Sequence, residues 1–306
     1  MKPILLFGKD GQVGTELQKV LPAIAPLVAV GRTQCDLADL DAVRRVIRET
    51  APRLIVNAAA YTAVDKAEQE RDLAFAINAE APRVMAEEAR VLGVSLIHYS
   101  TDYVFDGEKT APYVETDACN PQSVYGASKL AGEQAIAASG ASAIIFRTSW
   151  VFGAAGGNFV KTILRLARER ESLRVVADQY GCPTPAALIA DVTVRAIRHF
   201  DASRWPAGCE IFHLASSEPV SWHQFAVAIV SAAREAGIPL KLAPEAIEPI
   251  PTEAYPLPAK RPKNSRLDCD RLARELSTPL PRWRDGMREV AVGGIRNESV
   301  DWMKLG

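Results

Sequence analysis

The sequence predicts a doubly wound α/β fold, a parallel sheet covered by helices on both faces, followed by a smaller C-terminal α/β lobe. Three observations carry this. Short uninterrupted apolar runs alternate with segments of helical spacing through the first half of the chain. A glycine-rich turn follows the first run directly. After about Asp178 the strand signals thin and prolines accumulate. The 306 residues fit one large domain or two smaller ones. A chain of this size buries roughly three quarters of its unfolded surface and needs no staples.

Ile4–Phe7 is apolar throughout and stops at Gly8, as a strand buried on both faces does. Gln12–Val20 has the pattern of a first helix and Leu27–Val30 that of a second strand. Leu40–Thr50 has helical spacing, with Asp39 or Asp41 as its N-cap. Residues 54–56 form a third strand, 72–92 a long helix and 96–99 a fourth strand. Val124–Ser139 is a further helix, and 143–146 a fifth strand. Ligands of such a sheet lie beyond the carboxyl ends of its strands. In the second half, Pro183, Pro185, Pro239, Pro244, Pro249, Pro251, Pro256, Pro258 and Pro262 interrupt the pattern, with helices expected over 221–235 and 268–276. The expected division is 1–180 for the sheet domain and 181–306 for the smaller lobe, interleaved near the boundary, with small-molecule recognition in the cleft between them.

Lys plus Arg is 36 and Asp plus Glu is 37, so no bulk charge holds a nucleic acid or a membrane surface. No run approaches the roughly 20 apolar residues of a membrane span, and the N-terminal run ending at Phe7 is too short for a signal core. The cysteines (Cys35, Cys119, Cys182, Cys209 and Cys269) are scattered and odd in number, with no zinc spacing. A cytoplasmic location is the simplest reading.

The turn after the first strand reads Gly8-Lys9-Asp10-Gly11-Gln12-Val13-Gly14. Glycine at these places permits a tight turn and close approach of backbone to a pyrophosphate resting on the helix N-terminus. Gly8, Gly11, Gln12, Val13 and Gly14 are therefore candidate dinucleotide contacts. The second strand ends Val30-Gly31-Arg32, without the acidic residue that binds a ribose 2′-hydroxyl. Arg32 is placed to pair with a 2′-phosphate, which favours NADPH while leaving NADH open. Asp36 and Leu37 are candidates for the adenine side. The small residues Ala58, Ala59 and Ala60, after the third strand, let backbone lie against the cofactor.

Tyr125 and Lys129 stand four apart on one helix face. A lysine ammonium beside the phenol would lower its pKa and make the tyrosine a usable general acid. Thr101, at the end of the fourth strand, is placed to hydrogen-bond a substrate carbonyl. The four histidines form no catalytic pattern, and His98 reads as a packed core residue. Glycine loop, strand-end hydroxyl and YxxxK helix, in that order, point to a short-chain dehydrogenase.

Longer segments make the resemblance narrower. They are the 56–68 segment containing Thr62-Ala63-Val64-Asp65-Lys66-Ala67-Glu68, the 99–107 segment around Ser100-Thr101-Asp102-Tyr103, Arg147-Thr148-Ser149-Trp150-Val151, the 178–184 segment, and Arg261-Pro262 with Asn264-Ser265-Arg266-Leu267. On these residues the chain, from Ile4 to about Trp283, resembles the dTDP-4-dehydrorhamnose reductases, a family of extended short-chain dehydrogenase/reductases with a Rossmann-type domain. The resemblance implies NADPH- or NADH-dependent reduction of the C4 ketone of a dTDP-sugar in dTDP-rhamnose and surface polysaccharide (O-antigen) synthesis. By it Tyr125 donates the proton, Lys129 assists and Thr101 polarises the carbonyl. Thr62, Val64, Asp65, Asp102 and Trp150 would line the substrate side, and Arg261 would meet the diphosphate. Some members hold magnesium at a dimer interface. Glu16 matches one of its acidic residues, but the position of a second falls near Ala187, where no carboxylate is available. No metal ligand and no tightly bound magnesium are therefore expected, and a homodimer stays open. An epimerase or dehydratase of the same fold, and a cofactor-binding regulatory subunit, are the rival readings.

Overall fold

The computed structural model describes residues 1–200 and 205–293. Its centre is a six-stranded, wholly parallel sheet of β1 (Ile4–Phe7), β2 (Leu27–Val30), β3 (Leu54–Asn57), β4 (Ser95–Thr101), β5 (Ala143–Thr148) and β6 (Cys209–His213). The order is β6-β5-β4-β3-β1-β2. The chain steps from β1 to β2 on one side and then to β3 on the other, so the direction of winding reverses beside β1. The crevice at that reversal is where such sheets hold ligands.

Both faces are dry. On one, Ile4, Leu6, Val56 and Phe146 pack with Leu17 and Ile189 from the helices Gln12–Val20 and Ala186–His199. On the other, Leu5, Phe7, Ile55 and Ile145 pack with Val43, Ile47 and Met85 from Leu40–Thr50 and Ala81–Leu92. Residues that alternate along each strand thus feed opposite apolar layers, which is why the strands read as uninterrupted apolar runs. Asp39, rather than Asp41, caps Leu40–Thr50 by accepting the Ala42 N–H.

Three expectations change. The helix expected over 72–92 is not uniform. Arg71–Phe75 passes through a π-helical stretch, Ala76–Glu80, before Ala81–Leu92 resumes. Pro82 has no N–H for the Asn78 carbonyl, and its ring would crowd that oxygen in a regular helix, so the turn widens. The fourth strand reaches Thr101, carrying Ser100 and Thr101 within the sheet. The sixth strand, with only its last two residues buried, escaped the apolar pattern. The chain beyond 181 consequently contributes a strand and a flanking helix to the sheet layer as well as forming the second lobe.

That lobe has its own core. Phe152, Val160 and Ile163 pack with Phe225, Ile229 and Trp283 between Phe159–Glu169 and Trp222–Glu235. Among the described residues no helix is long and apolar enough to cross a membrane.

Candidate active site

Two adjoining cavities open at the carboxyl edge of the sheet. The first, about 600 Å³, is lined by the glycine loop, by Arg32, Asp36 and Leu37, by Ala58, Ala59, Ala60 and Thr62, and by Tyr125 and Lys129. The second, about 1150 Å³, lies between the lobes and is lined by Tyr103, Lys109, Trp222, Lys260, Arg261 and Lys263, among others. The Tyr125 and Tyr103 rings meet edge to face, 5.5 Å between centroids, so Tyr125 stands at the wall the two cavities share.

The glycine loop is held open for a ligand by its own backbone. Gly8 has φ of +83°, and a Cβ there would stand 2.5 Å from the Ala59 nitrogen. The loop and the 58–60 strand end therefore touch main chain to main chain, as the three alanines suggest. Gly11, Gln12 and Val13 line the same cavity at the helix N-terminus, where unpaired N–H groups favour an anion. The buried hydroxyls of Ser100 and Thr148 have no protein partner and both line this cavity. Polar atoms so placed fit the amide and hydroxyl groups of a dinucleotide.

The carboxylate missing from the end of β2 in the sequence is supplied in space. A Cβ on Gly31 would stand 1.9 Å from Asp10 Oδ2. The loop residue Asp10 thus occupies the room Gly31 leaves. Arg32 extends exposed on the same rim, 3.7 Å from Asp36. Both an acid and a guanidinium therefore border the cavity there.

The helix Val124–Ser139 delivers Tyr125 and Lys129. Ser123 caps it by accepting the Gly126 N–H. A Cβ on Gly126 would come within 2.2 Å of the Tyr103 carbonyl, so glycine lets this helix sit tight against the strand end that carries Thr101. Thr101 donates to Asp102 Oδ1 (3.0 Å), and its hydroxyl acts on the Tyr125 phenol. Burial raises the phenol to about 12, opposed by that hydroxyl and reinforced by Asp102. Burial also lifts Asp102 to about 6, against the hydroxyls of Ser265 and Thr101.

Lys129 departs from expectation. Its Nζ donates to the Tyr99 carbonyl at 2.6 Å and lies 3.2 Å from His98 Nε2, wholly buried. Burial sets the Tyr125 phenol, opposed by Thr101 and reinforced by Asp102. Burial instead lowers Lys129 itself to about 8, opposed by Glu133 one turn on. Glu133 is closed on Arg147 at 2.6 Å, both buried.

Other candidates divide. Asp65 pairs with Arg261 at 2.8 Å and also accepts the Ala259 N–H, joining two segments far apart in sequence. Arg261 Nη1 is buried without a partner at the rim of the larger cavity. Thr62 lies on the smaller cavity, and Val64 and Asp65 line neither. Trp150 backs the wall of the larger cavity. It lies flat on Trp222, 3.4 Å between ring centroids and 7° apart, and it is Trp222 that lines the larger cavity. A left-handed φ of +48° turns Trp150 into that stack. Glu16 pairs with Lys19 at 2.8 Å. Among the described residues no cluster of three or more His, Cys, Asp or Glu could hold a metal.

Residues 1–293 match the family described as the RmlD substrate binding domain. The chain is 46% identical over 291 residues to the dTDP-4-dehydrorhamnose reductase of Escherichia coli strain K12, covering 94% of this chain and 96% of that one. It is 46% identical over 285 residues to the Burkholderia thailandensis protein of the same description, covering 92% and 95%. A crystal structure of the Bacillus anthracis dTDP-4-dehydrorhamnose reductase in complex with NADP superposes with a TM-score of 0.86 at 34% identity, covering 95% of this chain and 99% of that one.

Proposed function

Because this chain belongs to the RmlD substrate-binding-domain family, we propose that it uses NADPH to reduce the C4 ketone of dTDP-4-dehydro-β-L-rhamnose, giving dTDP-L-rhamnose for surface polysaccharide synthesis. The observation that carries this reading is the position of Tyr125 and Thr101. The Thr101 hydroxyl acts on the Tyr125 phenol, and that phenol stands between a cavity lined by the glycine loop and a larger cleft whose lining includes Lys260 and Arg261.

The reduced nicotinamide, when bound, supplies the hydride. The protein supplies the proton and the charge stabilisation. Tyr125 keeps its proton at neutral pH, because burial holds its phenol at about 12. A reduction needs that protonated form, since the ketone oxygen must gain a proton as it becomes an alcohol. Thr101 turns its hydroxyl from Asp102 to the same oxygen, and the two donors stabilise the developing alkoxide. Gly8, Gly11, Gln12, Val13 and Gly14 would hold the pyrophosphate. Arg32 and Asp10 would meet the adenosine ribose, and Asp36 and Leu37 the adenine. On the other side, the unpaired Arg261 Nη1, with Lys260 and Lys263 nearby on the cavity wall, suits the substrate diphosphate. The Asp65–Arg261 pair would fix that guanidinium, and Trp222, backed by Trp150, offers an aromatic wall to the sugar.

We read the chain as a sheet domain of about 1–180 and a substrate lobe beyond it, interleaved at the boundary: the helix Phe159–Glu169 joins the core of the lobe, and the lobe lends a helix and a strand back to the sheet. It would work in the cytoplasm, where its cysteines, all free, stay reduced. A homodimer is the assembly to test by light scattering. The test of function is loss of NADPH absorbance with the dTDP-4-keto sugar made in situ, and identification of dTDP-L-rhamnose as product. Binding of NADPH without turnover would overturn the reading.

A further inference from the structure

Behind the Tyr125 helix three polar side chains sit where the sheet is otherwise apolar. Asn57 on β3 and His98 on β4 are register partners, and Lys129 lies over them; each is 1% exposed. Their donors and acceptors can be counted. The Ala59 N–H donates to Asn57 Oδ1 at 3.1 Å, which fixes the face of the amide. The Asn57 Nδ2, a donor, therefore faces His98 Nδ1 at 3.0 Å, and Nδ1 must accept. A neutral imidazole then carries its proton on Nε2, and complete burial keeps His98 neutral. That Nε2–H points at Lys129 Nζ, 3.2 Å away, while Nζ donates to the Tyr99 carbonyl at 2.6 Å. An ammonium has three donors and no lone pair, so it would oppose donor to donor. A neutral amine closes the chain, accepting from His98 and donating to Tyr99.

We propose that Asn57 and His98 are positioning residues that turn Lys129 into the sheet and stabilise its neutral amine form. The chain runs one way, from the Ala59 N–H in the wall of the cofactor cavity to the lysine. For Lys129 to take a proton from solvent in this place, the His98 proton must move from Nε2 to Nδ1 and the Asn57 amide must turn, which strands the Ala59 N–H. Proton number on His98 is unchanged by that move. Other titratable groups around Lys129 are accounted for. The Glu133 carboxylate is closed on Arg147, the Tyr99 phenol bonds Thr193 at 2.7 Å, and the Tyr125 phenol is held protonated by burial. The inference rests on reading Lys129 as the partner of Tyr125 only for its consequence, since the resting charge of the lysine is measurable without turnover.

The experiment is NMR of the full chain labelled with ¹⁵N-histidine and ¹³C-lysine, titrated without cofactor. With only four histidines, His98 is assigned by its loss in His98→Leu. The expected result is a neutral Nε2–H tautomer for His98 and a Lys129 midpoint near 8. In Asn57→Asp the carboxylate would accept from Nδ1, reverse the chain and raise the lysine midpoint by about one unit or more. An Nδ1–H tautomer in the wild-type protein would overturn the proposal, as would a Lys129 midpoint unmoved in both His98→Leu and Asn57→Asp. Should either variant fail to fold, the wild-type tautomer alone decides. Lys129→Met tests the separate reading: full activity in that variant would remove the lysine from catalysis and leave the tautomer result standing.

Discussion

At the scale of the residue, the site separates groups that must keep a proton from groups that must lose one. Tyr125 is protonated at working pH, so Tyr125→Phe should lower kcat by about 10²- to 10⁴-fold, the usual worth of a positioned acid, while the NADPH Kd stays within about threefold. Titration of NADPH fluorescence alongside steady-state rates checks both. The YxxxK spacing made Tyr125 legible in the sequence. The state of Lys129 was not legible, because it depends on Asn57 and His98, which are distant in sequence and meet only through strand register. A single polar residue in an apolar strand was the available signal. Asp10 is a similar case. The sequence shows only that β2 ends without an acid, and the fold brings one from the glycine loop. Asp10→Asn should therefore shift the ratio of NADH to NADPH Kd severalfold toward NADPH, by removing the repulsion of a 2′-phosphate. An unchanged ratio in direct binding would show that Arg32 alone sets the preference. Asp102 carries a pH signature. Its carboxyl rises from 3.8 to about 6 on burial, so the folded state binds a proton that the unfolded chain has released. Its contribution to stability is full below pH 4 and is lost as pH rises through 6, on the order of 3 kcal/mol at complete ionisation. Urea unfolding of Asp102→Asn between pH 4 and 7 should lack that decline.

At the scale of the element, the helix Val124–Ser139 presents Tyr125, Lys129 and Glu133 at successive turns, and each is set by what the helix packs on. The Ser123 cap and the closeness permitted by Gly126 fix its start against the Thr101 strand end. The Glu133–Arg147 pair fixes its middle against β5, with Arg147 also stacked over Phe105 at 5.1 Å. Both partners are 3% exposed, so removing one strands a charge in the core. Arg147→Met should cost roughly 3–5 kcal/mol, whereas the double change Arg147→Met with Glu133→Leu should recover most of it. Denaturant titration of both decides. Recovery in the double variant with activity still depressed would mean that the pair also orients Lys129. The helix itself was readable over 124–139, while the caps that bound it, Ser123 and Gly140, emerge from the structure. The π-helical stretch at Ala76–Glu80 was not, because apolar spacing does not report a missing N–H at Pro82 until the carbonyl it fails to meet is located.

At the scale of the whole molecule, the apolar runs of the first half disclosed the sheet and its crevice. The second half hid its return to the sheet, because an edge strand such as Cys209–His213 needs little apolar character. A short clasp joins the glycine loop to the helix Phe159–Glu169 of the second core. Asn158 Nδ2 donates to Gln12 Oε1 at 3.0 Å, and Asn158 Oδ1 caps the helix Phe159–Glu169 by accepting the Lys161 N–H. Gln12 lines the dinucleotide cavity, while Thr162, Ile163 and Leu166 of that helix line the larger one. One asparagine therefore touches an element of each cavity. If cofactor orders the glycine loop, the ordering should reach the substrate helix through this residue, and substrate nucleotide should bind more tightly once NADPH is present. By linkage the gain must be equal in both directions. Calorimetric titration of dTDP with and without NADPH, and of NADPH with and without dTDP, measures it twice. Coupling of about 1 kcal/mol or more in the wild-type protein, reduced to near zero in Asn158→Ala with each separate affinity changed by less, is the expected outcome. Equal coupling in the variant would mean that the lobes communicate through the shared wall at Tyr103 and Tyr125 instead, and Tyr103→Phe would be the next substitution to carry through the same cycle.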